Sequence, residues 1–167
     1  MPSREPAAVR SGPSAELPAG LIDTGAILAL VDRNDQWHEL CVETYNRNRL
    51  PWLTTEAVLT ETFYLVRRNL RDDRAVWVLL RSGAVRMSSI SDEELPQIQA
   101  LMAQYADRPM DFADATLVHV AARERLSAIL TIDHADFETY RLPGRKKFTV
   151  LPHLPRRSPR SRTGSRL

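Results

Sequence analysis

A chain of 167 residues, 43% hydrophobic, 7% aromatic and 26% charged, has the composition and length of one compact globular domain. Its single cysteine, Cys41, excludes an intrachain disulfide and a cysteine-built zinc site. No apolar run suits a membrane span or an export signal, so the expected setting is the reducing cytoplasm, with no membrane partner.

The net charge of +2 is unevenly spread. Arg156, Arg157, Arg160, Arg162 and Arg166 give the last twelve residues +5; upstream, 18 of the 23 basic side chains face all 21 acids, a balance of −3. The high pI therefore belongs to the tail, and a basic body is not indicated. Only Lys146 and Lys147 are lysine, a bias to which no functional weight is attached.

Residues 1–19, rich in proline, alanine and serine, and 155–167, rich in arginine, serine and proline, lack an apolar period and are expected to be disordered. The folded domain is expected over 20–154. It opens with a strand ending at Asp23, then helices over 26–33 and 39–46. A strand over 51–54 follows, with helices over 55–68 and 72–81, the second closed by Gly83. After a strand over 84–88, Ser91 and Glu94 form a capping box that opens a helix to about Tyr105, with Pro96 tolerated in its early turns. A helix over 112–125, a strand over 128–132, a short helical turn and a strand over 148–151 complete the series. Strands separated by helices predict an α/β fold with a parallel sheet between helices.

In such sheets ligands sit at the carboxyl ends of the strands. Asp23 ends the first strand, Asp133 follows the strand AILTI, and Asp111 and Asp114 open the helix after ADRPM. Glu61 falls in an apolar stripe with Ala57, Val58, Thr62 and Leu65, so its carboxylate is expected on the core side, where it needs a partner. Asp114 likewise shares a face with Leu117, Val118 and Ala121. Each acid has a plainer reading: Asp111 with Asp114 as a helix cap, Glu61 paired with Arg67 or Arg68, Asp133 and Asp136 as caps of the turn HADFETY, which for Asp136 is the preferred reading. Together, Asp23, Glu61, Asp114 and Asp133 converging on one edge with few bases beside them describe a site for a hard cation, Mg²⁺ or Mn²⁺. That site would activate water against a phosphodiester bond. His38, His119, His134 and His153 show no zinc spacing and read as structural or surface residues.

The strings LIDTGAILALVDRNDQWH, TTEAVLTETFYLV, DFADATLVHVAARERLSAILTIDHADFETYR and FTVLP together resemble the PIN domain family, in particular the VapC-type toxins, over 21–152. The resemblance implies a three-layer fold, a central parallel sheet of about five strands flanked by helices. It also implies an acidic pocket that binds Mg²⁺ or Mn²⁺ and hydrolyses RNA. The family's four acids correspond to Asp23, Glu61, Asp114 and Asp133, with Asp111 an additional, less secure ligand and Thr24 and Thr131 as supporting hydroxyls. The leader before Leu21 departs from the family pattern without touching these residues.

LIDTGA also resembles the loop of aspartic proteases, but those enzymes are nearly all β and need two such loops. A D-x-D phosphatase would need an acid where Gly25 stands. Two readings remain beside the toxin: a processing nuclease that uses the same pocket, and a PIN-like module that binds RNA or protein without cutting. A toxin implies an antitoxin that covers an apolar groove and inserts a basic side chain into the acidic pocket. Phe63, Tyr64, Trp77, Leu79 and Leu80, more large apolar residues than one face buries, suggest a homodimer surface, although Trp77 reads equally as core. RNA phosphates would meet Arg67, Arg68, Arg71 and Arg74, or the basic tail.

Overall fold

The computed structural model describes residues 17–48, 51–69, 72–108 and 110–154. The expected disorder of 1–16 and of the tail 155–167, and Arg71, lie outside the described residues. In chain order the elements are β1 (Gly20–Ile22), α1 (Thr24–Val31), α2 (His38–Arg47), β2 (Trp52–Thr54), α3 (Glu56–Asn69), α4 (Arg74–Arg81) and β3 (Val85–Met87). A 3-10 turn over Asp92–Glu94 leads into α5 (Leu95–Gln104), α6 (Phe112–Glu124), β4 (Ala128–Leu130), α7 (His134–Thr139), β5 (Arg141–Leu142), β6 (Lys146–Lys147) and β7 (Thr149–Leu151).

Leu21, Ile22, Ile129 and Leu130 are fully buried, the continuous apolar pattern of parallel strands covered on both faces. Five strands pair in parallel in the order β3-β2-β1-β4-β7, with Leu21 opposite both Leu53 and Ile129. Ala19 already donates its N–H to the Pro51 carbonyl at 2.9 Å, just ahead of β1. The order reverses beside β1, whose neighbours are β2 and β4, so the crevice beyond the ends of β1 and β4 is the switch point where such sheets bind ligands.

Two helix ends follow from their caps. Asp23, rather than a residue nearer Ala26, starts α1, because its carboxylate accepts the Thr24 N–H. The expected capping box is present: Ser91 N–H donates to Glu94 Oε2 at 2.8 Å, while Glu94 Oε1 accepts from His119 Nε2 (2.7 Å) and Arg123 Nη1 (2.6 Å). The box thereby joins the 3-10 turn to α6.

The structure corrects three expectations. The buried stripe of α3 is Val58, Thr62 and Val66, and Glu61 is exposed; it stands one residue, or about 100° of helix, off that stripe. The strand expected over 128–132 ends at Leu130; the Thr131 N–H still donates to the Leu151 carbonyl at 2.8 Å, while its hydroxyl turns to Asp23. A two-stranded antiparallel hairpin, β5 with β6, pairs Arg141 with Lys147 and Leu142 with Lys146 where no strand was expected. Phe148 then packs on Phe137, with ring centroids 5.6 Å apart, and β7 starts one residue later.

Candidate metal and nucleic-acid site

Three elements carry the acids to the crevice. Asp23 leaves β1 and caps α1, Asp111 caps α6 with Asp114 in its first turn, and Asp133 caps α7. Gly25 lets them close together: a Cβ there would lie 2.4 Å from Ile132 Cγ1, so only glycine admits the start of α1 against the segment after β4.

Asp23 is 9% exposed and both its oxygens are held. Thr24 N–H donates to Oδ1 at 2.6 Å and the Thr131 hydroxyl to Oδ2 at 2.9 Å. Burial nevertheless raises its pKa to about 6, with the charges of Glu61 and Asp111 adding to the rise against the two hydrogen bonds. For Asp114 burial is again the largest cause, then the charges of Asp111 and Asp23, and together they raise the pKa to about 7 against the lowering hydrogen bond from Tyr140. The Tyr140 hydroxyl donates to Asp114 Oδ2 at 2.8 Å. Burial, followed by that hydrogen bond and the nearby carboxylates, raises the Tyr140 pKa, so it stays a donor.

Glu61 reaches the pocket from its exposed side. The Thr24 hydroxyl donates to Glu61 Oε2 at 2.9 Å, which links the expected acid on α3 to the residue after Asp23. Both capping readings of the sequence also hold: Asp114 N–H donates to Asp111 Oδ1 at 2.8 Å and Asp136 N–H to Asp133 Oδ1 at 3.3 Å. The cap of α7 is therefore Asp133, and the preferred capping role for Asp136 is corrected. Its carboxyl belongs to the acidic field: burial first and the Asp133 charge second raise its pKa, Arg108 lowers it, and Asp136 in turn raises Asp114. Asp133 is exposed at the rim and tied inward by its N–H to Thr131 Oγ1 at 3.0 Å.

The structure thus brings Asp23, Glu61, Asp111 and Asp114 into one field, and leaves Asp133 at its edge beside Asp136. Sequence reasoning missed Asp136 and Tyr140. The D-x-x-D spacing of Asp133 and Asp136 was a signal for the first; nothing local marked the second, which is positioned by its edge contacts with Phe137 and Tyr105, at 5.3 and 5.1 Å.

Among the described residues no three acidic, histidine or cysteine side chains form a ready-made metal cage. The donors instead suit an ion that takes one or two carboxylates and keeps several waters. An open groove of about 680 Å³ beside the acids is lined by Glu61, Tyr64, Asp111 and Phe112, among others. Of the described arginines expected near RNA, Arg67 is bound to Asp73 at 3.0 Å and Arg74 to Asp72 at 2.7 Å, whereas Arg68 reaches only the Tyr64 hydroxyl, at 3.4 Å. None of them meets Glu61. The apolar residues expected on one dimer surface divide: Phe63 packs at a tilt on Trp77, centroids 4.7 Å apart, while Tyr64 faces the groove. Trp77 is half-exposed rather than core.

The model of the PIN domain matches residues 20–141. Ribonuclease VapC26 of Mycobacterium tuberculosis is 31% identical over 134 residues, covering 79% of this chain and 99% of the relative. Among solved structures, the fold resembles Mycobacterium tuberculosis VapC20, described as a sarcin-ricin loop cleaving toxin, with a TM-score of 0.62 and 22% identity, over 68% of this chain and 88% of that one.

Proposed function

The chain belongs to the PIN domain family, and from that premise we propose that it is a divalent-metal-dependent endoribonuclease, the toxin of a VapBC-like toxin–antitoxin pair. The observation that carries this reading is the pair Asp23 and Asp114, one buried and one half-buried carboxylate from separate segments, both with pKa values raised by burial and by neighbouring acids, and with no lysine or arginine bound to them among the described residues. Such a concentration of negative charge calls for a cation, and the carboxylates of Asp23 and Asp114, with Asp111, Glu61 and Asp133 around them, would hold Mg²⁺ or Mn²⁺. What that ion supplies is positive charge against the phosphate oxygens and a water acidic enough to attack phosphorus.

The chain's own residues supply position and proton transfer. Thr24 and Thr131 fix the plane of the Asp23 carboxylate, and Tyr140 fixes that of Asp114. Glu61, an exposed residue whose Oε2 accepts from Thr24, would use its second oxygen to accept the proton of the attacking water. As the new P–O bond forms, the P–O bond to the leaving oxygen would break, and that oxygen would take a proton from solvent while Glu61 returns to solvent the one it accepted.

An antitoxin would cover the groove between α1 and α4, where Leu30, Val31, Ala75, Val78 and Leu79 present an apolar wall and Val78 is 62% exposed, and would set a basic side chain among the acids. The packed Phe63 and Trp77 remain available for a second copy. No helix among the described residues is long and apolar enough to cross a membrane.

The test is cleavage of labelled RNA by wild type and Asp114→Asn with Mg²⁺, Mn²⁺ or EDTA, alongside growth on induced expression. Cleavage lost with EDTA and with the variant, and growth arrest from wild type alone, is expected. RNA bound but never cut under any metal would replace this reading with that of a binding module.

A further inference from the structure

Among the described residues the non-glycine positions with left-handed backbone are Arg125, at φ 57°, and Arg145, at φ 59°, where glycine or asparagine meets less steric resistance. Arg125 ends α6, its N–H donated to the Ala121 and Ala122 carbonyls, a place usually given to glycine. Arg145 follows Gly144 in the loop between β5 and β6. Two arginines standing where the backbone disfavours them point to a use for their side chains.

Their neighbours share the charge. Arg125, Arg145, Lys146 and Lys147 are all exposed, and none enters an ion pair among the described residues, unlike Arg47, Arg67, Arg74 and Arg123. Arg125 and Lys146 line one groove, and Arg145 lines another that shares its Ala122, Leu142 and Pro143 wall. No acid occurs over 125–132 or 139–154. Arg125, Arg145 and Lys146 therefore share one continuous surface, with Lys147 next to it on β6, in a body whose net charge is negative. Helix α6 connects it to the acids, with Asp114 in its first turn and Arg125 at its end, about 17 Å apart at 1.5 Å per residue.

We propose that this cationic strip binds the sugar–phosphate backbone of RNA, independently of sequence, and holds a substrate whose scissile bond reaches the acids at the opposite end of α6; the word substrate rests on the ribonuclease reading above. A polyanion is the partner that four unpaired cations and no acid complement, and the acidic pocket repels phosphate until such contacts offset it.

The experiment uses the full chain, so the basic tail is common to every variant. Labelled single-stranded RNA is titrated in EDTA from 50 to 200 mM salt with wild type, Arg125→Gly/Arg145→Gly and Lys146→Glu/Lys147→Glu, and KM and kcat are measured with Mg²⁺. Glycine relaxes both backbone positions, so the first variant is expected to melt no lower than wild type. Four phosphate contacts give a log–log salt slope of about −2.8 on a single strand, and losing two leaves about −1.4, with affinity lower by roughly tenfold or more. KM is expected to rise with kcat unchanged. Glycine variants that bind and cut RNA as wild type does would overturn the strip and leave the ribonuclease reading standing, with an acidic protein the remaining candidate for this surface. Salt-dependent binding that the variants lose, with no cleavage by any form, would support the strip and overturn the ribonuclease reading instead.

Discussion

Replacing Asp23 by asparagine is expected to stabilise the protein while abolishing its metal response. In the unfolded chain Asp23 ionises at its ordinary pKa of 3.8, and in the fold at about 6, chiefly because burial disfavours its charge. Below the lower value both states hold the proton and no penalty arises. Between the two the folded state retains a proton that the unfolded chain has released, so stability falls as pH rises, and above about pH 7 the whole penalty is present. Two units correspond to about 3 kcal/mol at 1.36 kcal/mol each. Asparagine removes that titration and preserves the geometry: Oδ1 can still accept the Thr24 N–H, and Nδ2 can donate to the Thr131 hydroxyl oxygen. In EDTA, the excess stability of Asp23→Asn over wild type should be small at pH 4 and grow to about 3 kcal/mol by pH 7.5, a melting shift on the order of 10 °C for a domain this size. Urea unfolding at several pH values measures it, and added Mg²⁺ should narrow the gap by stabilising wild type alone. A variant no more stable than wild type at pH 7.5, or a difference constant with pH, would refute the argument that burial and the neighbouring carboxylates strain this group.

Three further changes probe the supports of the site. Gly25→Ala drives a methyl to within 2.4 Å of Ile132 Cγ1 and should cost about 1–3 kcal/mol of stability, together with the Mg²⁺-dependent rise in melting temperature, read in one thermal series. Tyr140→Phe keeps the ring but removes the donor to Asp114 Oδ2; since that bond lowers the Asp114 pKa, its loss should move the acid limb of the pH–cleavage profile to higher pH, with activity partly recovered under alkaline conditions. Glu94→Ala removes the acceptor shared by Ser91, His119 and Arg123. The Ser91 N–H, then His119 and Arg123, hold the Glu94 pKa down at about 2, so the stability it lends is present above the ordinary value of 4.5 and lost as pH falls towards 2; wild type and variant melts should converge in acid and separate at neutral pH.

The alternation of strand and helix was legible because it rests on short-range chemistry. Buried apolar pairs such as Leu21–Ile22 and Ile129–Leu130 punctuated by capping residues leave few topologies, and the Ser91–Glu94 box marked its own turn. The β5–β6 hairpin was not legible, since Arg141, Lys146 and Lys147 show no apolar alternation. It is held by the packing around it, with Leu142 and Phe148 buried on either side of the exposed lysines. Tertiary contact there replaces propensity as the cause of the strands.

The site divides along the same line. Asp23 and Asp114 could be picked out because an acid at the end of an apolar strand, or on the buried side of a helix start, conflicts with local solvation, and the structure shows the conflict as raised pKa values. Glu61 was singled out on a premise the structure overturns: its helix face is exposed, and Thr24 rather than burial connects it to the pocket. An apolar period fixes which stripe of a helix is buried but locates the stripe's edge only to about one residue, and one residue of helix is about 100°. Asp136 shows the converse. Its spacing from Asp133 is that of a cap, and a cap is indeed formed, but by the Asp133 carboxyl and the Asp136 amide, which leaves the Asp136 carboxyl to act through its charge on Asp114. Spacing alone assigns a hydrogen bond to a pair of residues without saying which one keeps a free carboxylate, and it is the free carboxylate that the crevice can use.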